Sequence, residues 1–300
     1  MELGWLEDFL ALVDSGNFNR AALMRHLTQP AFSRRIKALE DWAGVSLFDR
    51  STHRVGLTPA GEAFCPSAEE IVRRLLQARQ EVRQVAGTAT TTLRFAATHA
   101  LSLTFFPTWL RSVETKGGIA PIQLISDTMK ACEQAMRQGQ AQFLLCHSHP
   151  AVPERLDCGH FLSACIGTDM LVPVSAADPR GRPLHALPGC AAAPLPLLAY
   201  SPESALGWIV KASPIGHGTP CHLEVTVTAH LATVLKAMVH DGRGLAWLPL
   251  SLVQDELNQG TLVRAGEPEW DALVEIHLFR SRARQTPAAE TFWSQVTQDA

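Results

Sequence analysis

The run Thr28-Gln29-Pro30-Ala31-Phe32-Ser33-Arg34-Arg35 gathers side chains suited to nucleic-acid chemistry. A glutamine amide pairs bidentately with adenine, and an arginine fork reaches guanine O6 and N7 or a phosphate. Gln29 and Arg34 supply those groups, and Ser33 is short enough to let a helix approach closely. Arg50 and Arg54 flank a short hairpin pattern, where phosphate or minor-groove contact is expected. For Arg50 a structural ion pair supporting the hairpin is a second reading, and for each arginine a solvated surface charge is a third. The candidate DNA contacts are Thr28, Gln29, Pro30, Ser33, Arg34, Arg50 and Arg54.

A second set of polar residues lies downstream, just past short apolar runs. Thr98, His99 and Ser102 follow Leu93–Ala97, Asp127 follows Ile122–Ile125, and His147 follows Phe143–Cys146. Ser201, Ser204 and Thr228 stand in corresponding places later in the chain. In open α/β sheets ligands bind outside the carboxyl ends of strands, and free N–H groups at a helix start favour an anion. These eight are the candidate effector contacts, although serines and threonines at such places serve equally as helix caps. His99 is the sharpest, as a donor, an anion partner, a pH-sensitive element or a structural histidine.

Other chemistry is poorly supplied. Cys146-His147-Ser148-His149 matches no common metal-ligand spacing, so neither metal nor cofactor is expected. There is no Gly-x-Ser-x-Gly, His-Glu-x-x-His or phosphate-cradling Gly-rich loop, so an enzyme is unsupported. Cysteines stand at 65, 132, 146, 158, 165, 190 and 221, an odd number without a Cys-x-x-Cys pair. That argues against a disulfide framework and for free thiols, with thiol redox sensing as the alternative.

These residues need elements to hold them. Leu6, Phe9, Leu10 and Val13 have helical spacing, ended by Gly16. Asn19 is then placed to cap a short helix through Arg25, with Ala22 and Leu23 inward. Thr28 caps the next helix, and Pro30 is tolerated in its first turn. Phe32, Ile36 and Leu39 share one face of it, leaving Gln29, Ser33, Arg34 and Lys37 on the other. Two short helices with a tight turn, the second apolar on one side and polar-basic on the other, describe a helix-turn-helix. Val45–Arg50 and Arg54–Leu57 then read as a wing, and Thr58-Pro59 opens another helix.

From Phe64 that helix carries Phe64, Ala68, Ile71, Leu75, Ala78, Val82 and Val85, an a/d heptad. It predicts a coiled-coil seam with a second copy, through Phe64, Ile71, Leu75, Ala78 and Val82. A long amphipathic helix packed on its own domain is the alternative. Pro66 should kink the helix or delay its start. Gly87–Thr92 is a polar linker, after which short apolar runs alternate with helical patterns, implying an α/β domain with mostly parallel sheets. The expected domains are 1–58, a linker helix 59–87 and a regulatory domain 88–300. Its lobes are about 92–160 with 268–300, and about 161–267.

Bulk composition agrees. The 300 residues are 46% hydrophobic and 18% charged with net charge −3, yet Gly16–Thr58 holds seven basic and three acidic residues. A basic patch in an acidic chain is the footprint of a nucleic-acid module. The first residues lack the pattern of a signal peptide, and no apolar run approaches the roughly 20 residues that cross a bilayer. A cytoplasmic protein without membrane contact is expected.

The segment Phe18–Glu40, with Gly44–Arg50 and Leu57–Gly61, resembles the LysR-type transcriptional regulators, and Asp241–Pro249 is similar to a Gly-x-Gly element of their sensor domain. The resemblance runs the length of the chain. It implies an N-terminal all-α winged helix-turn-helix, a long dimerising linker helix and a two-lobed periplasmic-binding-protein-like α/β sensor. It also implies a double-stranded DNA operator, a small-molecule effector and self-association as dimer or tetramer, usually a homotetramer. Ala96–Leu103, Tyr200-Ser201 and Ala246–Pro249 look similar to the hypochlorite-responsive subgroup, in which methionine oxidation is the proposed switch. Ala205 and Ala229 stand where that subgroup carries methionine, so the resemblance does not carry the switch over. The expectation is a regulator switched by a small, anionic effector. The alternatives are a Cys- or Met-based redox regulator and a solute-binding protein or enzyme with a fused DNA-binding domain.

Overall fold

The structure is a computed structural model. It describes the chain apart from residues 1, 51–54, 87–91, 115–117, 119, 154–155, 157–158, 214 and 299–300 and the side chains of 80, 81, 83–85 and 217. Arg54, Cys158, the Val85 side chain and most of the polar linker therefore lie outside the described residues. The chain divides into two compact units, one formed by residues 1–90 with 137–140 and the other by residues 91–136 and 141–300.

The first unit opens with α1 (Leu3–Ser15), α2 (Phe18–Met24) and α3 (Gln29–Ala43). Leu6, Phe9, Leu12, Ala21, Phe32, Ile36 and Leu39 bury the stripe that their spacing demands. Gly16 ends α1 in the left-handed region at φ 60°, where glycine carries no Cβ penalty. The cap of α2 is Asn17 rather than Asn19, its side chain accepting from the Arg20 N–H at 3.1 Å. Its inward pair is Ala21 and Ala22, and Leu23 is 75% exposed. Leu23 lies about 100° around the helix from Ala22, beyond the narrow stripe a two-turn helix buries. Thr28 occupies the N-cap of α3 without a side-chain cap bond, and Pro30 sits in the first turn.

The wing is β1 (Phe48–Asp49) paired antiparallel with β2 (Gly56–Leu57). α4 (Pro59–Val85) follows with Pro66 inside it, so the proline neither ends the helix nor delays its start. Thr58 caps α4 by accepting from the Gly61 N–H at 3.0 Å while donating to the Ser46 carbonyl at 2.8 Å. A Cβ on Gly61 would lie 2.1 Å from the Leu47 carbonyl oxygen, so only glycine lets the helix sit against the wing. The heptad divides into two stripes. Ala68 is fully buried and Phe64 packs edge-on against Phe9 at 5.3 Å, so both belong to the core of this unit, together with Val72. Ile71, Leu75 and Val82 face outward at 42, 49 and 68% exposure, and Ala78 is exposed with them. Phe64 is thereby removed from the expected seam.

The second unit contains β3 (Leu93–Thr98), α5 (His99–Leu103), α6 (Phe106–Glu114), β4 (Ile122–Asp127), α7 (Met129–Arg137), β5 (Phe143–Ser148) and β6 (Phe161–Ala176). Then come β7 (Leu195–Tyr200), α8 (Ala205–Ala212), β8 (Leu223–Ala229), α9 (Ala232–His240), β9 (Ala246–Pro249) and α10 (Leu250–Gln259). β10 (Leu262–Arg264), β11 (Ala272–Ser281) and α11 (Pro287–Thr297) complete it. The main sheet has the order β10-β6-β11-β5-β3-β4, with β9 also on β6, and β7 pairs β8. β3 is parallel to β4 and β5, and β7 to β8, but every pairing of β6 and β11 is antiparallel. The expected mostly parallel sheet is thus a mixed one.

Two cores mark two lobes. Leu93, Phe95, Phe143, Leu278 and Phe292 pack in one, and Val172, Leu198, Leu235 and Leu248 in the other. β11 serves both, with Val274 in the second core and Ile276 and Leu278 in the first. β6 likewise carries Ile166 against the first core and Val172 in the second. Among the described residues, no helix is long and apolar enough to cross a membrane.

Candidate functional site

On α3, Gln29, Pro30 and Arg34 are exposed and Ser33 is half-buried, with Thr28 exposed just before them. Two neighbouring arginines, Arg25 and Arg35, are occupied. Asp8 is fully buried and accepts from Arg25 Nε at 2.7 Å and from Arg35 Nη1 at 3.3 Å, and Glu7 takes a further Arg25 nitrogen at 2.5 Å. Burial by itself would lower the Arg25 pKa, but the hydrogen bonds and charges of Asp8 and Glu7 outweigh it and raise it. Arg35 is thus held back toward α1, while the side chains of Gln29, Ser33 and Arg34 have no intramolecular hydrogen-bond or ion-pair partner among the described residues.

Arg50 is also spoken for. Its Nη2 donates to Glu40 Oε2 at 2.9 Å, and its guanidinium lies 5.1 Å from the centre of the Phe18 ring. The other oxygen of buried Glu40 accepts from the Leu47 and Phe48 N–H groups at 2.9 and 3.2 Å. This is the structural ion pair that the sequence left open, and it uses part of the Arg50 fork to fix the wing.

In the second unit, a cleft of about 390 Å³ opens where β3, β4, β5 and β8 end and helices begin. Thr98, His99, Asp127, His147 and Ser204 line it, as do Thr128, Met129, Ala205, His230, Leu231 and Ala232. Of the expected contacts, Ser102, Ser201 and Thr228 are not lining residues. Ser102 and Ser201 stand behind histidines. Ser126 Oγ lies 3.1 Å from His99 Nδ1 and 2.7 Å from Ser102 Oγ, and Ser102 donates to the His99 carbonyl at 2.8 Å. Ser201 Oγ lies 3.0 Å from His230 Nδ1. Thr228 is exposed, because β8 continues to Ala229 and His230 is the residue that arrives at the cleft.

His99 and His230 meet edge-on with ring centres 6.4 Å apart, each fixed by a serine at Nδ1. Where the Ser201 hydroxyl donates, the hydrogen of neutral His230 sits on Nε2 and is available to a ligand. At His99, Ser102 gives its hydrogen to the His99 carbonyl and Ser126 gives its own to Ser102, so Nδ1–H donates to Ser126 and Nε2 of the neutral ring presents a lone pair. The first turns of α7, α8 and α9 converge on the same space, giving it positive helix-end potential. The signal that would have found His230 is the strand-end rule, applied two residues further along.

A second pocket, spanning about 460 Å³ with the space it opens to solvent, shares Met129, His147 and Ala205 with the cleft and is lined by apolar groups that include Val152, Trp208, Ile209 and Phe279. His147 sits at the junction, buried, with no hydrogen-bond partner for Nε2 among the described residues. Burial pushes its pKa down from 6.5 to about 4, with Asp169 acting in the opposite sense. A depressed imidazole pKa means that the unfolded chain takes up a proton which the folded chain refuses. The associated stability is complete above pH 6.5 and is lost progressively as pH falls from 6.5 to 4. The full effect is about 3 kcal/mol. Urea unfolding as a function of pH should show this acid slope, and it should flatten in His147→Gln; equal slopes would remove His147 as its source.

Comparison with known proteins agrees with both units. Residues 3–62 match the bacterial regulatory helix-turn-helix protein of the lysR family, and residues 86–300 match the LysR substrate binding domain. The chain is 31% identical over 297 residues to the HTH-type transcriptional regulator YjiE of Escherichia coli K12, covering 99% of this chain and 94% of that protein. It is similar to Vibrio fischeri DarR, solved in complex with DNA, at 30% identity, 99% and 98% coverage and a TM-score of 0.57. Full-length HypT of Salmonella typhimurium, described as a hypochlorite-specific LysR-type regulator, is 28% identical with 99% and 97% coverage and a TM-score of 0.58. The chain belongs to the LysR family. It is a DNA-binding transcriptional regulator with an effector-binding domain.

Proposed function

We propose that α3 enters the major groove of a double-stranded operator with Gln29, Ser33 and Arg34 at base edges, and with Thr28 and Pro30 at the adjoining backbone. The observation that carries this reading is the contrast between uncommitted Gln29, Ser33 and Arg34 and the engaged Arg25, Arg35 and Arg50. Gln29→Ala should weaken operator binding about 10- to 100-fold, with the loss concentrated at one base position. Fluorescence anisotropy on operator variants measures this, and an unchanged affinity would refute the assignment. Arg54, outside the described residues, is proposed from the sequence as a phosphate or minor-groove contact.

The cleft of the second unit takes the effector, a small anion such as a carboxylate. His230 donates to it, and His99 does so when its ring is protonated, with the helix starts of α7–α9 around it and Thr98, Asp127, His147 and Ser204 in the lining. Thermal shift of the full chain with a panel of small carboxylates tests this. A stabilising acid whose effect is lost in His230→Ala supports the site, and a panel without effect sinks it. Thiol switching at Cys65 and Cys132 is less favoured, since burial pushes both up to about 12 and leaves them little thiolate.

Ile71, Leu75, Ala78 and Val82 supply the self-association seam, so the working regulator is a dimer or tetramer on a partly palindromic operator. It acts in the cytoplasm without catalysing a reaction, as the naming of its relatives as transcriptional regulators suggests.

A further inference from the structure

We infer that Cys165, Glu275 and His277 form a binding site for a borderline-soft divalent cation of the zinc type on one face of the β6–β11 pair. Their ligand atoms lie within 4.8 Å of one another. Register creates the cluster. Glu275 faces Thr168 and Ile276 faces Gly167, a sequence that would next put His277 opposite Ile166. Instead His277 faces Cys165, because one extra residue on β6 interrupts the ladder between Ile276 and His277. Directly opposed residues share a face of the sheet, and a one-residue shift reverses the face. The bulge therefore turns Cys165 to the side of Glu275 and His277 and leaves Ile166 to pack against the core of Phe95 and Phe143.

The donor set decides the cation. Calcium and magnesium take oxygen ligands, whereas thiolate with imidazole selects zinc and its neighbours in the transition series. Three protein ligands would leave a fourth tetrahedral position to water. His277 Nε2 and Glu275 Oε2 are already 2.7 Å apart, and Cys165 Sγ lies 3.4 Å from the Gly167 carbonyl oxygen. On binding, the Cys165 thiol releases its proton to solvent and coordinates as thiolate. The hydrogen of the neutral imidazole moves to Nδ1, so that the Nε2 lone pair and the Glu275 oxygen both face the cation. The balance is one proton released for each cation bound, with no redox change. Cys165 is exposed and Glu275 and His277 are half-buried, so a cation reaches them from solvent. Sequence spacing could not show the site, because its two strands lie far apart in the chain and only the bulge aligns them.

The test uses the reduced full-length chain, stripped with a chelator and titrated with Co²⁺ alone as an optical probe. One Co²⁺ per chain, with a thiolate-to-cobalt charge-transfer band in the near ultraviolet, is the expected result. Cys165→Ser should abolish the band, with circular dichroism confirming that the exposed substitution leaves the fold intact. Glu275→Gln should keep the band but weaken Co²⁺ binding about tenfold or more. Absence of the band in the unaltered chain overturns the site. A band that survives Cys165→Ser places the metal on another cysteine and overturns it as well.

Discussion

Leu75→Glu will turn the full-length chain into a monomer and remove operator binding at concentrations that saturate the unaltered protein. Leu75 stands on the outward stripe of α4, 49% exposed, between Ile71 at 42% and Val82 at 68%. A row of large apolar side chains left exposed at heptad spacing gains by meeting a second copy. In a paired seam the substitution places two carboxylates near each other while removing two leucines, so each dimer is hit twice. Operator affinity falls further than the seam alone, because two linked modules gain about 10²–10⁴ from effective concentration and one module does not. Analytical ultracentrifugation with DNA footprinting measures both effects. A dimer that persists in Leu75→Glu shows that the outward stripe is not the seam. Val72→Glu is the informative contrast, since Val72 is 3% exposed on the inner stripe and should unfold the first unit instead.

The second large effect is on stability. Glu40→Ala should cost about 3 kcal/mol or more in the first unit, because the Leu47 and Phe48 N–H groups lose their acceptor at about 1–3 kcal/mol each. The Arg50 ion pair is lost with them, but Arg50 is 44% exposed and adds little by comparison. Arg50→Ala should therefore be mild in urea unfolding, and Glu40→Gln, which keeps a carbonyl oxygen, should fall between the two. If Arg50→Ala were as damaging as Glu40→Ala, the ion pair rather than the backbone contacts would be holding the wing.

Residues whose roles depend on their own helix were legible. Phe32, Ile36 and Leu39 were readable as inward because a period of 3.6 admits one buried stripe, and Gln29, Ser33 and Arg34 were what that stripe left outside. Roles set by another element were not. Helix spacing put Arg34 and not Arg35 on the outer face, but that Arg35 is bound to buried Asp8 on α1 was not in the spacing. Phe64 and Leu75 share one heptad, and only the packing of α1 beneath α4 decides which of them is core. Strand ends gave Thr98, His99, Asp127 and His147 because parallel strands deliver their last residues to one edge. Antiparallel β11 escaped notice because its place is set by its pairing with β5 and β6 rather than by a βα alternation along the chain.

The continuity of β6 and β11 through both cores has a mechanical meaning. Lobes tied by loops would rotate freely, with no memory of how far they had turned. Lobes tied by a hydrogen-bonded pair of strands behave like two plates joined by a leaf spring, and any closing of the cleft must be stored as twist along that ladder. The spring has one soft leaf, the extra residue where the register slips beside Ile276 and His277. A ligand in the cleft would load it from one side, and a cation on Cys165, Glu275 and His277 would stiffen it at its softest point. The same strands would then add two unlike chemical signals as a single torque.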